Sequence, residues 1–226
     1  GGTLYDYCRA FGLMEQTGID LPGEASLKDA YWSREKMTNV DLAVASFGQR
    51  FQVTPLQLAN YIATLVNGGE LYDVHLLKSV KTYDNSQVVA VGQAEPRSTL
   101  DISAANLEAV KDPVSTVSMR DSTLQAVKEG MLGYTQPGGM VYNAFRNCIV
   151  TAGAKTGTAQ LGNNDKNNGV FVCFAPYDDP EIVVSIVIEK GDAGANLAST
   201  AVEILNAYFS ADEIGTAIIG ENELLQ

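Results

Sequence analysis

The sequence holds a single histidine, His75, and only three cysteines, Cys8, Cys148 and Cys173, in 226 residues. The cysteine count is odd and no C-x-x-C spacing occurs, which argues against a His/Cys zinc site and for buried, inert thiols rather than a redox pair. A Ser-His-Asp triad would have no base except His75, and Asp73-Val74-His75-Leu76-Leu77 reads as plain strand. Positive charge is scarce: 15 Lys+Arg against 27 Asp+Glu give a net charge of −12. That excludes the clustered basic surface a nucleic-acid binder needs. The longest apolar run is well short of the roughly 18–20 residues that span a bilayer. The opening Gly1-Gly2-Thr3-Leu4 has neither the basic stretch nor the apolar core of a signal peptide. No internal repeat is visible. What is present, 46% hydrophobic and 19% charged residues, excludes collagen-like, low-complexity and wholly disordered chains. The length suits one domain, or one and a half, with a core that needs no metal or disulfide staple.

Periodicity divides the chain into elements. Leu4 to Phe11 reads as a short helix closed by Gly12, and Thr17 to Glu24 as a turn-rich loop. Residues 25–50 carry no clear period. Thr54-Pro55 opens a helix, with Thr54 as cap and Leu58, Ile62, Leu65 and Val66 on one face, and Asn67-Gly68-Gly69 ends it. Leu71 to Val91 is strand-like and broken by a turn at Asp84-Asn85-Ser86. Within the polar stretch 92–120 a helix is expected over Ala104–Val110. A firmer one runs from Ser122 to Leu132, with Leu124, Val127 and Met131 on one face, and Gln136-Pro137-Gly138-Gly139 follows as a loop. Cys148–Gln160, Val170–Ala175 and Ile182–Glu189 read as three strands joined by Gly162–Gly169 and by Asp178-Asp179-Pro180. A helix over Ala195–Phe209 closes the series, with Leu197, Ala201, Ile204, Leu205 and Tyr208 as its apolar stripe. Two hairpins followed by an amphipathic helix predict an α+β fold, an antiparallel sheet with helices packed on it. The expected organisation is one unit over 1–209 and an acidic tail over 210–226.

The chemistry concentrates in Lys155-Thr156-Gly157-Thr158-Ala159-Gln160, at the end of a predicted strand. A lysine and a hydroxyl at a strand edge bind a carboxylate by charge-assisted hydrogen bonds. Gly157 lets a ligand approach the backbone, and the Thr158 N–H can meet a developing oxyanion. An ordinary strand with a solvated lysine has the same residues, and these alone do not decide between the two. A phosphate-binding G-x-x-x-x-G-K-[ST] loop fails, because Ile149 and Ala154 stand where its glycines are needed.

The wider context resembles one family. Lys155-Thr156-Gly157 is similar to the K-T-G box of penicillin-binding proteins and serine β-lactamases. Thr17-Gly18-Ile19-Asp20-Leu21-Pro22-Gly23-Glu24 resembles the family's T-G-I-D-L-P-G-E loop. Phe47-Gly48-Gln49 with Val53-Thr54-Pro55-Leu56-Gln57-Leu58-Ala59 resembles G-Q-x-x-x-V-T-P-L-Q-L-A. Asn67-Gly68-Gly69, Glu129-Gly130-Met131 with Gly138-Gly139, and Phe171-x-x-Phe174-Ala175-Pro176 match further family segments in the same order. Together they span about residues 1–209, and the pattern is that of the transpeptidase domain of a high-molecular-weight, class B penicillin-binding protein.

The resemblance implies a D,D-transpeptidase that cross-links peptidoglycan stem peptides through a serine acyl-enzyme and is acylated by β-lactams. It implies that Lys155, Thr156, Gly157 and Thr158 bind the substrate, with the Thr158 N–H in the oxyanion hole, and that no metal or cofactor takes part. The family's nucleophile lies in an S-x-x-K box, followed by S-x-N, both before the T-G-I-D-L-P-G-E loop. The 16 residues ahead of that loop here contain no serine. The expectation is therefore a C-terminal part of a transpeptidase domain, without the N-terminal strands and nucleophile helix and inactive alone. Its partners would be stem peptides, β-lactams, the remaining N-terminal part of the same protein and cell-wall synthesis proteins. Its place would be outside the membrane, anchored through an N-terminal segment. A non-catalytic module of the same shape, binding wall peptides or division proteins, is the alternative. Ser33-Arg34-Glu35-Lys36 spells S-x-x-K but falls after the loop, and Tyr83-Asp84-Asn85 falls at a hairpin turn, so neither fits the family order. Two departures bear on the site. Ala152-Gly153-Ala154 before Lys155 suggests a bulge or register shift, and Met140 stands in the family's G-T-A region as Gly139-Met140-Val141. The reading requires 155–158 to be open to solvent.

Overall fold

The computed structural model describes residues 2–25, 38–49, 52–91, 96–99, 119–160 and 166–215. The chain divides into two compact units, Gly1–Val127 and Lys128–Gln226. The expected helix at Ala104–Val110, the first half of the polar turn at 162–169, and Ser33 and Lys36 lie outside the described residues.

In the first unit, α1 spans Gly2–Ala10, and the chain turns at Gly12 with φ +74°. A Cβ there would stand 2.9 Å from Leu71 Cδ1, so the left-handed turn also needs the missing side chain. The Thr17–Glu24 loop is tied by its own acids. Glu24 Oε1 accepts from the Thr17 N–H (2.6 Å) and hydroxyl (2.8 Å), and Asp20 accepts from the Leu76 (2.8 Å) and Leu77 (3.0 Å) N–H groups. Those two backbone bonds hold the Asp20 carboxyl below its ordinary range. α2 (Asn39–Ala45) was not legible in the unperiodic 25–50 stretch, yet Thr38 and Asp41 form a capping box. α3 (Pro55–Val66) starts as predicted, with Thr54 and Gln57 in a second capping box, and it buries Ile62 and Leu65.

The strand-like 71–91 stretch is three short strands rather than two: β1 (Glu70–Tyr72), β2 (Ser79–Lys81) and β3 (Val88–Val91). β1 pairs with β4 (Pro96–Thr99), and β2 with β3, both antiparallel. His75 is exposed and lies in the link between β1 and β2, not in a strand, because the Val74 N–H is taken by Thr17 O and the following amides by Asp20. Tyr83-Asp84-Asn85 is the β2–β3 turn: Asn85 has φ +56°, and hydrogen bonds from Thr82 and Ser86 lower the Asp84 carboxyl to about 2.

α4 (Asp121–Thr135) buries Leu124 and Met131, but Val127 is exposed instead of sharing their face. A short α5 (Tyr142–Phe145) follows. The second unit is built on the antiparallel sheet β5 (Gly153–Ala159), β6 (Asn168–Ala175) and β7 (Ile182–Ile188), in that spatial order. A 3-10 turn, Gly194–Leu197, leads into α6 (Ala198–Gly215), which runs past the expected end at Phe209. β5 is shorter than the predicted Cys148–Gln160, since residues 148–152 spend their polar groups elsewhere. The Ile149 N–H donates to Asn206 Oδ1 (2.9 Å) and Thr151 O accepts from the Tyr177 N–H (2.8 Å). The expected bulge is absent. The ladder runs unbroken from Gly153 opposite Phe174 to Ala159 opposite Asn168.

One sheet face packs Ala154, Phe171, Cys173, Ala175 and Val184 against Leu197, Ala198, Ala201, Val202 and Leu205. Fully burying a side chain such as Phe171 or Leu205 contributes about 1.5–3 kcal/mol. The α6 stripe differs from the expected one: Ile204 and Tyr208 are exposed, and Ala198 and Val202 take their place on the i, i+3, i+4, i+7 face. On the other face Phe174 fills the space over Gly153, where a Cβ would come within 2.5 Å of its ring, and stacks on Tyr177 at 6.0 Å.

Among the described residues no strand pairs with the outer edge of β7, a run of Val and Ile with one serine. Such an edge templates association. Sedimentation is expected to show concentration-dependent self-association of the chain. A monomer with slow amide exchange at every second residue of Ile182–Ile188 would contradict this.

Candidate functional site

β5 is the opposite edge of the sheet, bonded on one side to β6. Strand alternation puts Ala154, Thr156 and Thr158 on the α6 face and Lys155 and Gly157 on the other. The segment is open as the sequence reading requires: Lys155 and Thr158 are exposed, and Thr156 and Gly157 are half-buried.

The Lys155 ammonium turns back along its own strand. Nζ donates to Thr156 O at 2.7 Å and stands 4.8 Å from the centroid of the Tyr134 ring. The Tyr134 hydroxyl lies 3.2 Å from Thr156 Oγ1 and donates to Met140 Sδ at 3.4 Å, while Thr156 Oγ1 is 4.0 Å from the same sulfur. The Thr156 hydrogen bond, aided by the Lys155 charge, holds the Tyr134 phenol below its ordinary range.

The 3-10 turn packs on the backbone of the segment. A Cβ at Gly194 would stand 2.3 Å from Gly157 O and 2.2 Å from Val170 O, its cross-strand partner. The Gly194 N–H also points to Thr158 Oγ1 at 3.5 Å. Two glycines therefore meet where the strand must lie flat against the turn, and the side chain of Thr158 is held on that side.

All four predicted residues lie on β5, two of them exposed and two half-buried. Tyr134, Met140 and Gly194 were not read from the sequence as part of the site. Tyr134 lies in the last turn of α4, 21 residues before Lys155, and no local spacing links them. The only signal was indirect, the departure at Met140. Tyr83-Asp84-Asn85 is a hairpin tip in the other unit. Cys8 and Cys173 are buried and their thiols are pushed up, to about 11 and about 12, by desolvation. Cys148 is half-buried and raised for the same reason. These are not nucleophiles at neutral pH.

Comparison with known proteins covers nearly the whole described chain. Residues 2–209 match the family described as "Penicillin binding protein transpeptidase domain". The chain is 30% identical over 196 residues to penicillin-binding protein 2A of Bacillus subtilis, covering 82% of this chain and 25% of that protein. It is 27% identical over 241 aligned positions to the peptidoglycan D,D-transpeptidase MrdA of Escherichia coli, covering 97% and 35%. The solved complex of penicillin-binding protein PBP2 with MreC from Helicobacter pylori has a chain of the same fold, with a TM-score of 0.61 at 25% identity over 90% of this chain and 34% of that one. The chain spans about a quarter to a third of the length of the curated relatives it matches. On the extent of that match and the order of its segments, the chain belongs to the penicillin-binding protein transpeptidase family.

Proposed function

We propose that Lys155, Thr156, Gly157 and Thr158 form the carboxylate-binding ledge of a D,D-transpeptidase acting on peptidoglycan stem peptides and acylated by β-lactams. The observation that carries this reading is an exposed ammonium and a hydroxyl on consecutive residues of a sheet edge with no strand paired to it among the described residues, in a chain otherwise strongly acidic. Lys155 has three donor hydrogens, and its bond to Thr156 O uses one, so two remain for a carboxylate. Thr156 adds a neutral donor beside it. Gly157 keeps the strand edge clear, and the Thr158 N–H supplies one arm of an oxyanion hole, a contribution of about 3 kcal/mol to transition-state stabilisation in such sites. No nucleophile is assigned within these 226 residues. The reaction takes place outside the membrane in this reading, with other wall-synthesis proteins as partners. Among the described residues no helix is long and apolar enough to cross a membrane.

Titration of the labelled chain with N-acetyl-D-alanyl-D-alanine, followed by NMR, tests the reading. Saturable shifts are expected at Lys155 and Thr156, absent with the C-terminal amide of the same dipeptide. Lys155→Ala is expected to weaken binding about tenfold or more, the scale of one charge-assisted hydrogen bond. Equal binding by acid and amide, or no effect of the substitution, would overturn the assignment.

A further inference from the structure

We infer that Tyr134 is a positioning residue for this grip, whose ring stores the Lys155 ammonium and whose hydroxyl passes between Met140 Sδ and Thr156 Oγ1 as the ledge is emptied and filled. The inference rests on the carboxylate-binding role proposed above.

The hydrogen bonds dictate the two settings. A tyrosine hydroxyl has one proton. When it donates to Met140 Sδ at 3.4 Å, the bond at 3.2 Å to Thr156 must run the other way, with Thr156 as donor. The Thr156 proton is then aimed at Tyr134 and not at a ligand. An arriving carboxylate is a far better acceptor and turns that proton outward. Tyr134 then leaves the thioether, a weak acceptor that costs little to abandon, and donates to Thr156 Oγ1. The result is a chain from Tyr134 through Thr156 to the carboxylate in which each bond polarises the next. Lys155 waits on the ring face 4.8 Å away and needs no long swing.

Tyr134 is itself held from several sides. Its carbonyl accepts from the Val141 N–H at 3.1 Å. Gly139 lies so near that a Cβ would stand 2.4 Å from the same oxygen. The neighbouring Thr135 hydroxyl is 2.7 Å from Ala152 O, just ahead of β5. The end of α4 is therefore fixed to the strand whose side chains it orients.

The same NMR titration, run on the whole chain, tests the inference. Tyr134→Phe is expected to weaken N-acetyl-D-alanyl-D-alanine binding about fivefold, the scale of one hydrogen bond. Thr156→Val and the double variant Tyr134→Phe/Thr156→Val are expected to bind equally, since phenylalanine keeps the ring under Lys155 and the lost hydroxyl acts only through the threonine. A purely structural role would not move the pH profile. Among the described residues Lys155 is the one charged group acting on the Tyr134 hydroxyl, and Thr156 and Met140 are neutral. Wild-type affinity should fall in the alkaline range as the phenol ionises and can no longer donate, while Tyr134→Phe should hold its lower affinity to higher pH. If Tyr134→Phe binds like wild type with an unchanged profile, the inference fails and the ledge stands. If wild type ignores the carboxylate, both fall. Should Tyr134→Phe not fold, the profile of wild type against Thr156→Val decides: the alkaline fall must be larger in wild type, and identical profiles would overturn the inference.

Discussion

Alanine at Gly194 is expected to destabilise the second unit by about 3 kcal/mol, the upper range for forcing atoms into a packed site. The added methyl would meet Val170 O at 2.2 Å and Gly157 O at 2.3 Å, both backbone atoms of a paired ladder position. Neither can move without breaking the register that carries Lys155 and Thr156. A side chain can rotate away from a clash and a ladder carbonyl cannot, so the cost falls on the turn or on the sheet. Gly157→Ala is the internal control. Its Cβ would approach Val170 Cβ at 3.2 Å, a contact that a few tenths of an ångström of strand separation relieves, and the loss should stay below about 1.5 kcal/mol. Hydrogen exchange of the β6 amides, read by mass spectrometry, separates the two. Unchanged protection in Gly194→Ala would show that the turn is not seated on the strand as described.

The contrast between these glycines also marks what the sequence could tell. Gly157 was legible because it sits inside a motif. Gly194 was not, because its requirement comes from atoms 24 and 37 residues away in sequence. The same division holds across the chain. The order β5, β6, β7, α6 was readable, since alternation and helical period are local patterns that burial enforces. The ends of those elements were not. β5 stops at Gly153 because Ile149 and Thr151 bond to Asn206 and Tyr177, partners no window of sequence reveals. α2 was missed although Thr38 and Asp41 carry its cap, because seven residues give too short a stripe to show a period. At the site, motif chemistry pointed to the four ledge residues. Tyr134, which touches two of them, could be found only once α4 and β5 were placed together.

Incubated with a labelled penicillin, the 226-residue chain is expected to gain no covalent adduct in intact-mass measurement, although the ledge should still bind carboxylates reversibly. Acylation needs a serine activated by a base within hydrogen-bond reach. The second unit contains three serines, Ser185, Ser199 and Ser210, and none is followed three residues later by lysine. Ser185 shares a ladder row with Lys155 through Val172, two strand spacings or roughly 10 Å away. Its Oγ is buried with no hydrogen-bond partner among the described residues, so nothing withdraws its proton. Ser199 is exposed on α6, and its i+3 residue is Val202. Ser33, the one serine with a lysine at S-x-x-K spacing in family style, follows the Thr17–Glu24 loop where the family has its nucleophile before it. The expected difference from a complete acylating site is therefore total, none against one per chain. A stable adduct mapped to Ser33 would place the nucleophile inside this chain and overturn the motif order on which the assignment rests. An adduct at Ser185 would mean that the β7 face opens to a base the structure does not put there.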